Sequence, residues 1–293
     1  MAAITYYLTL PFIYLLSLLP FPILYLVSDG LYGILYYVIG YRKEVVLQNL
    51  KNSFPDKSEA EIKKIRKAFY HYLCDLTLET VKTLTISRAA MLKHCTIEPE
   101  TLKLFNHLAE ENKSFILVMG HWGNWEWAGN SFSLLCKHQL YVIYHPLSNK
   151  YFDGLTYCMR TRFGTKLIAM KDTYRKMSAR KNELSVTAFI ADQTPSPEGA
   201  FWTTFLNQDT PVFKGTEKIA QRMNYPVFYG RVKKLKRGYY EISGEILFDN
   251  PAKTGPDIIS ASHTKALESD IITQPEIWLW SHRRWKHRKP KEK

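Results

Sequence analysis

The chain has 293 residues, 46% of them hydrophobic, and its 40 Lys and Arg against 27 Asp and Glu give a formal net charge of +13. That length accommodates one large α/β domain or two small ones beside a membrane segment, and the charge demands an acidic partner. The four cysteines, Cys74, Cys95, Cys136 and Cys158, show no CxxC or zinc-ligand spacing and read as reduced thiols in a cytoplasmic setting.

Residues 4–28 contain no charge and are rich in Leu, Tyr and Phe, long enough for the roughly 20 apolar residues that a bilayer core requires. Pro11, Pro20 and Pro22 interrupt the stretch, so a bent or re-entrant hairpin competes with a straight span. No basic n-region and no small-residue cleavage site precede Asp29, so no cleavable signal peptide is expected. Residues 31–41 are too short to cross, and Arg42 and Lys43 follow at once, as at the cytoplasmic end of a span. Residues 1–43 are therefore expected to be a membrane anchor, and residues 44–293 a domain on the cytoplasmic face.

Residues 44–53 read as a helix that Phe54-Pro55-Asp56 interrupts. Ser58 then caps a long helix through Ile62, Ile65, Phe69, Tyr72 and Leu73 to about residue 85. A third helix is expected over 99–112. From there the pattern alternates: strands near 115–119, 140–144, 166–170, 186–191, 225–233 and 239–247, with helices near 125–137, 150–163, 172–181 and 215–223. Alternation of this kind predicts an α/β fold with a mixed, largely parallel sheet flanked by helices. The last dozen residues hold seven Lys or Arg against one Glu, interleaved with Trp285, and suit anionic phospholipid headgroups. Nucleic acid would be attracted by the same charge, but no nucleic-acid motif is present, so a membrane is the expected partner. Lys181 and residues 233–237 read as a solvated surface.

The chemistry concentrates at Gly120-His121-Trp122-Gly123-Asn124-Trp125-Glu126, directly after the apolar run Phe115-Ile116-Leu117-Val118-Met119. Such a run reads as a buried strand that delivers a histidine to the end of a sheet. On one continuous helix, His121 and Glu126 would lie about 140° apart; they meet only if the intervening backbone turns first. Gly123 permits the turn and Asn124 is a natural N-cap for the following helix. A carboxylate at Glu126 would then fix the imidazole tautomer and leave the other nitrogen as a general base for a hydroxyl. The alternative is a histidine packed in the core, with Trp122, Trp125 and Trp127 as packing or interfacial residues.

Two further strand ends carry polar residues. Ala191 leads to Asp192-Gln193, and Tyr144 leads to His145-Pro146, Asn149-Lys150 and a helix bearing Arg160 and Arg162. Parallel strands would gather these ends on the side where His121 emerges, and a guanidinium there would stabilise a negative oxygen or bind phosphate. An arginine holding the surface together is the competing reading.

With these residues in hand, the chain resembles the lipid A lauroyl/myristoyl acyltransferase family of bacterial inner membranes. The resemblance rests on Gly120, His121, Gly123, Asn124, Trp125 and Glu126, on Tyr144, Pro146, Leu147 and Asn149-Lys150, on Arg160, Arg162 and Gly164, on Asp192-Gln193, Gly199, Phe205 and Gly215, and on Trp278-Leu279-Trp280 with His282-Arg283-Arg284-Trp285-Lys286. It covers almost the whole chain. The sequence departs from the family over Thr194-Pro195-Ser196-Pro197-Glu198-Gly199 and Thr203-Thr204-Phe205, a loop that borders the substrate groove. The resemblance implies that a fatty acyl group passes from a thioester, such as one on acyl carrier protein, to a hydroxyl or amine of a lipid acceptor, with no covalent acyl-enzyme and no cofactor or metal. It implies His121 as base, Glu126 as its orienter, and Asn124, Arg160, Arg162, Asp192, Gln193 and Lys150 as oxyanion or substrate contacts, in an enzyme of the inner membrane facing the cytoplasm. Two other readings stay open at this point. One is a metal-dependent lipid hydrolase using His121, His145 and Glu126, for which no HExxH spacing exists; the other is a basic, non-enzymatic membrane scaffold.

Overall fold

A computed structural model describes residues 2–290; Lys291 and Lys293 of the basic tail lie outside the described residues. In chain order the elements are α1 (Ala2–Leu18), α2 (Phe21–Gly33, continued by a π-helical turn, Ile34–Ile39), α3 (Lys43–Ser53), α4 (Glu59–Lys82), α5 (Arg88–His94), β1 (Cys95–Ile97), α6 (Pro99–Glu110), β2 (Phe115–Met119) and α7 (Trp125–Leu135). They continue as β3 (Gln139–Tyr144), α8 (Lys150–Thr161), β4 (Lys166–Ala169), α9 (Thr173–Ser178), β5 (Ser185–Ile190), β6 (Phe201–Phe205), β7 (Gln208–Val212), α10 (Gly215–Met223), β8 (Val227–Lys236), β9 (Tyr239–Phe248) and α11 (Ile258–Thr273).

Among the described residues a seven-stranded sheet runs in the order β1-β9-β8-β2-β5-β3-β4. Every pairing in it is parallel except the β8–β9 hairpin, so the expected mixed, largely parallel sheet is present. All five residues of β2 are buried, as a central strand covered on both faces requires. Ile116 and Val118 pack with α4 and α11 on one face, while Phe115, Leu117 and Met119 join Phe105, Trp127 and Phe132 on the other. Each such side chain contributes about 1.5–3 kcal/mol by leaving water.

Local chemistry explains the boundaries that were legible. Ser58 and Glu61 form a reciprocal capping box, the Ser58 hydroxyl accepting from the Glu61 N–H at 3.3 Å and the Glu61 carboxylate from the Ser58 N–H at 2.8 Å. Pro20 and Pro22 sit at the start of α2, where the fixed proline φ fits and no N–H is needed, so they separate α1 from α2. Pro11, by contrast, lies inside α1 without ending it.

Three regions differ from expectation; in the first, residues 88–97 carry α5 and the edge strand β1, where no element is expected. Residues 201–212 form the hairpin β6–β7, whose turn residues Leu206 and Asn207 both adopt positive φ, +49° and +61°. A leucine in that conformation is rare, so the usual Asn-Gly signal is missing. Helix α11 buries Ser260, His263 and Thr264 along with Ile259, Leu267 and Ile271, and its polar core face hides the apolar periodicity.

Helix α2 is tied to α4 rather than loosely tethered. Ser28 donates to Asp75 at 2.7 Å, Tyr25 to Glu79 at 2.9 Å, and Arg237 in the β8–β9 turn bridges Asp29 and Asp75 at 2.7 Å each. By length and composition, residues 21–39 are nevertheless apolar enough to cross a membrane.

Candidate active site

Strand register assembles the site. In the parallel pair β2–β5, Met119 lies opposite Ile190, so the residues two positions beyond each strand, His121 and Asp192, come side by side. The His121 main-chain N–H donates to Asp192 Oδ2 at 2.8 Å, and the imidazole Nδ1 lies 2.6 Å from Asp192 Oδ1. A carboxylate only accepts, so Nδ1 carries the hydrogen and Nε2 is the ring nitrogen not engaged by Asp192. Trp278 Nε1 donates to Asp192 Oδ2 at 2.8 Å. Burial opposes ionisation of Asp192, but the charge and donors of His121, with the Trp278 N–H, overcome it and hold the carboxyl down at about 2.

The turn after β2 tolerates only glycine at Gly123. Its φ is +71°, and a Cβ there would sit 1.7 Å from the Val232 carbonyl oxygen. The turn is pinned by Tyr72, whose hydroxyl donates to the Gly123 carbonyl at 2.6 Å, and by the C-terminal segment, where Leu279 N–H reaches the His121 carbonyl at 3.2 Å. Asn124 caps α7 as expected, accepting from the Trp127 N–H at 2.9 Å. Its amide nitrogen donates to the buried Glu79 at 2.8 Å, so the Asn124 side chain is fully engaged inside the protein, leaving only main chain at this helix start to face a substrate.

Glu126 makes no hydrogen bond or ion pair with His121. Its carboxylate is gripped by Arg160, with Nε to Oε2 at 2.9 Å and Nη2 to Oε1 at 2.5 Å. Burial works against the Arg160 charge, but the Glu126 pair more than offsets it and the guanidinium pKa is raised. The carboxylate hydrogen-bonded to the His121 imidazole is thus Asp192 and not Glu126, because adjacent strand ends lie closer than residues separated by a turn and the first turn of a helix. Arg162 turns the other way, to the Thr83 carbonyl and the face of Phe163. Lys150 is exposed at the start of α8, outside the cavity lining. Gln193 stays at the site, its Nε2 3.4 Å from His121 Nε2.

A cavity of about 840 Å³ opens in front of these groups, between the sheet and α7 and α8. His121, Glu126, Arg160 and Gln193 line it, and its depth is apolar, with Leu117, Phe132 and Val142 among its walls. Among the described residues no three His, Cys, Asp or Glu side chains gather as a metal ligand set. His145 is exposed and its Nδ1 lies 3.0 Å from the Pro146 carbonyl oxygen in its own loop.

An apolar cavity with a histidine–carboxylate pair at its edge fits transfer of a long acyl chain, and sequence comparison agrees. The family model described as bacterial lipid A biosynthesis acyltransferase matches residues 1–287. The chain belongs to that family. It is 23% identical over 284 residues to the lipid A biosynthesis lauroyltransferase of Escherichia coli (strain K12), covering 94% of this chain and 89% of that protein. Identity is also 23% over 274 residues to the lipid A biosynthesis palmitoleoyltransferase of the same organism, covering 92% and 87%, and likewise to a lipid A biosynthesis acyltransferase of Shigella flexneri. The chain is accordingly an acyltransferase.

Of the basic tail that begins at His282, Arg284 is buried at 2% exposure while Arg283, Lys286, Arg288 and Lys289 are exposed; just before it, Trp278 and Trp280 are buried at 2% and 0%. Trp278, Tyr72 and Glu79 support the active-site turn and were not picked out as site residues. For Trp278 the Trp-x-Trp spacing was visible in the sequence, but tryptophans beside arginines read equally well as a membrane interface.

Proposed function

We propose that this acyltransferase moves a fatty acyl group from a carrier thioester, of the acyl carrier protein kind, to a hydroxyl or amine of a lipid A-type acceptor, with His121 as general base and Asp192 as its orienter. The observation that carries the reading is the hydrogen-bonded His121–Asp192 pair at the edge of a large apolar cavity. The acceptor O–H or N–H binds against His121 Nε2, which takes the proton as the oxygen or nitrogen attacks the thioester carbonyl. Asp192 stabilises the imidazolium through Nδ1–H. The tetrahedral oxyanion falls within reach of the Arg160 guanidinium and of main-chain N–H groups at the start of α7, where the helix dipole favours negative charge. Glu126 fixes Arg160 in place. Collapse of the intermediate breaks the C–S bond, and the imidazolium returns its proton to the departing thiolate.

The acyl chain lies in the cavity, and the acceptor arrives from a membrane that contacts α1, α2 and the rim of α8. Exposed Tyr7, Leu8, Phe12 and Leu15 on α1, Tyr37, Val38 and Ile39 after α2, and Leu147, Tyr151 and Tyr157 around α8 support a lipid-facing surface. Tyr6 joins α1 to α8 through ring contacts with Tyr151 and Phe152 at 5.4 Å each. Because Arg237, Asp29 and Asp75 meet beside the middle of residues 21–39, that stretch lies along the bilayer surface in this reading instead of crossing it. The net charge of +13 suits both the anionic inner membrane, on its cytoplasmic face, and an acidic carrier protein.

The test is acyl transfer by the purified protein in lipid vesicles, supplied with an acyl carrier thioester and a lipid A precursor and read by lipid mass spectrometry. The acceptor should gain one acyl mass with wild-type protein and none with folded His121→Ala. Activity near wild type in His121→Ala would sink the mechanism.

A further inference from the structure

Adjoining Asp192 lies a second, much smaller cavity of about 10 Å³, lined by Asp192, Tyr229, His263, Thr264 and Arg284 among others. Arg284 is 2% exposed, yet of its guanidinium only Nη2 has a partner, the Pro211 carbonyl at 2.7 Å; Nε and Nη1 meet no protein acceptor. His263, 4% exposed on α11, has its Nε2 without a protein partner as well. Leaving a buried donor or acceptor unsatisfied costs about 1–3 kcal/mol, and more for a charged group. The two residues that carry these three atoms both line one small space, which is therefore not expected to stay bare. The space is about what one water needs when two to four polar partners surround it.

We propose that this cavity holds one structural water that accepts from Arg284 and donates to His263 Nε2 and Asp192, making Arg284 and His263 positioning residues for the His121–Asp192 pair. The chemistry balances for a water. Its oxygen accepts from one of the two unpartnered guanidinium nitrogens, and its two hydrogens satisfy the imidazole lone pair and the carboxylate. Burial keeps His263 neutral by lowering its pKa to about 4, so Nε2 is free to accept. Burial pulls the Arg284 pKa down to about 10, and the negative charge of Asp192 offsets part of that. Buried ions are commonly replaceable by apolar side chains without loss of stability. A guanidinium at this place therefore has a role in holding Asp192 ionised and aimed at Nδ1 of His121. The inference rests on the reading of Asp192 as the orienter.

Two measurements separate the water from the mechanism. A crystal structure of the full-length protein, at a resolution that shows waters, should place one water within hydrogen-bond reach of Arg284, His263 and Asp192; an empty cavity, or an apolar side chain folded into it, overturns the site. In steady-state acyl transfer, Arg284→Met should lower kcat about tenfold or more with both KM values unchanged, and Arg284→Lys should recover most of the loss. Should Arg284→Met fail to fold, His263→Leu, which displaces the water without touching the Pro211 contact, should lower kcat several-fold. Folded variants with kcat within twofold of wild type overturn the positioning role. A wild-type protein that transfers no acyl group would refute the proposed function, while the crystallographic water would still be decided.

Discussion

Asp192 and Glu126 are two carboxylates beside one cavity, and they have opposite surroundings. Asp192 is buried, accepts from His121 twice and from Trp278 once, and among the described residues makes no ion pair with a Lys or Arg. Glu126 lines the cavity and is occupied by a two-pronged guanidinium. Proximity along the chain would have given the histidine to Glu126, five residues away; the parallel register of β2 and β5 gives it to Asp192, 71 residues away. Where strands end side by side, register decides which groups share a proton, and helix starts supply the electrostatic wall.

That comparison can be broken by substitution. His121→Ala should abolish transfer, a loss of about 10³-fold or more, with the near-ultraviolet circular dichroism unchanged. Asp192→Asn preserves shape but offers a donor or a weak acceptor to Nδ1, and should lower kcat by roughly 10²–10⁴-fold. In a His121→Ala background, Asp192→Asn should cost almost nothing further, because the two act as one unit. Glu126→Gln leaves the dyad intact and loosens Arg160, for which we expect a loss of about tenfold. A larger loss for Glu126→Gln than for Asp192→Asn would reverse the assignment.

Acid unfolding sharpens the same contrast. The Asp192 carboxyl sits at about 2 instead of its ordinary 3.8, so the stability it contributes is complete above about 3.8 and is lost as the pH falls through about 2. The shift corresponds to about 2 kcal/mol. His263 has the opposite logic at a higher window: it stays neutral down to about 4 while the unfolded chain takes up a proton near 6.5, so stability falls as pH drops from 6.5 towards 4. Melting temperatures recorded from pH 7 to pH 2 should show a flatter upper slope for His263→Phe and a flatter lower slope for Asp192→Asn.

The smallest effect concerns the cavity wall. Gly129 lies in α7 and lines the cavity, and a Cβ built there would meet only Leu140 Cδ2, at an ordinary 3.8 Å. Gly129→Ala should stabilise by about 0.5–1 kcal/mol through helix propensity. Gly129→Leu should fill part of the cavity and shift preference among acyl donors towards shorter chains, measured by competition between donors of different length.

Much of the fold was legible because its signals are local. The apolar run 115–119, the Ser58 capping box, Gly123 and the Asn124 cap each follow from one or two residues, and the structure places them as expected. What escaped sequence reading depends on long-range pairing or on polar side chains used as core. The β6–β7 turn hides behind a left-handed Leu206, and α11 presents Ser260, His263 and Thr264 to the interior. His121, Glu126, Arg160 and Gln193 line one cavity, but the hydrogen-bond partners among them differ from those expected, since no sequence interval encodes sheet register. Arg162 and Asn124 illustrate the same limit: both are near the site in sequence, and both spend their side chains on the scaffold.

The most direct test of the central claim is the nitrogen-bound proton of His121 Nδ1, followed by NMR with ¹⁵N-labelled histidine and assigned by its absence in His121→Ala. The account predicts a strongly hydrogen-bonded, downfield resonance that persists in Glu126→Gln and disappears or moves sharply upfield in Asp192→Asn. Persistence in Asp192→Asn together with loss in Glu126→Gln would contradict it.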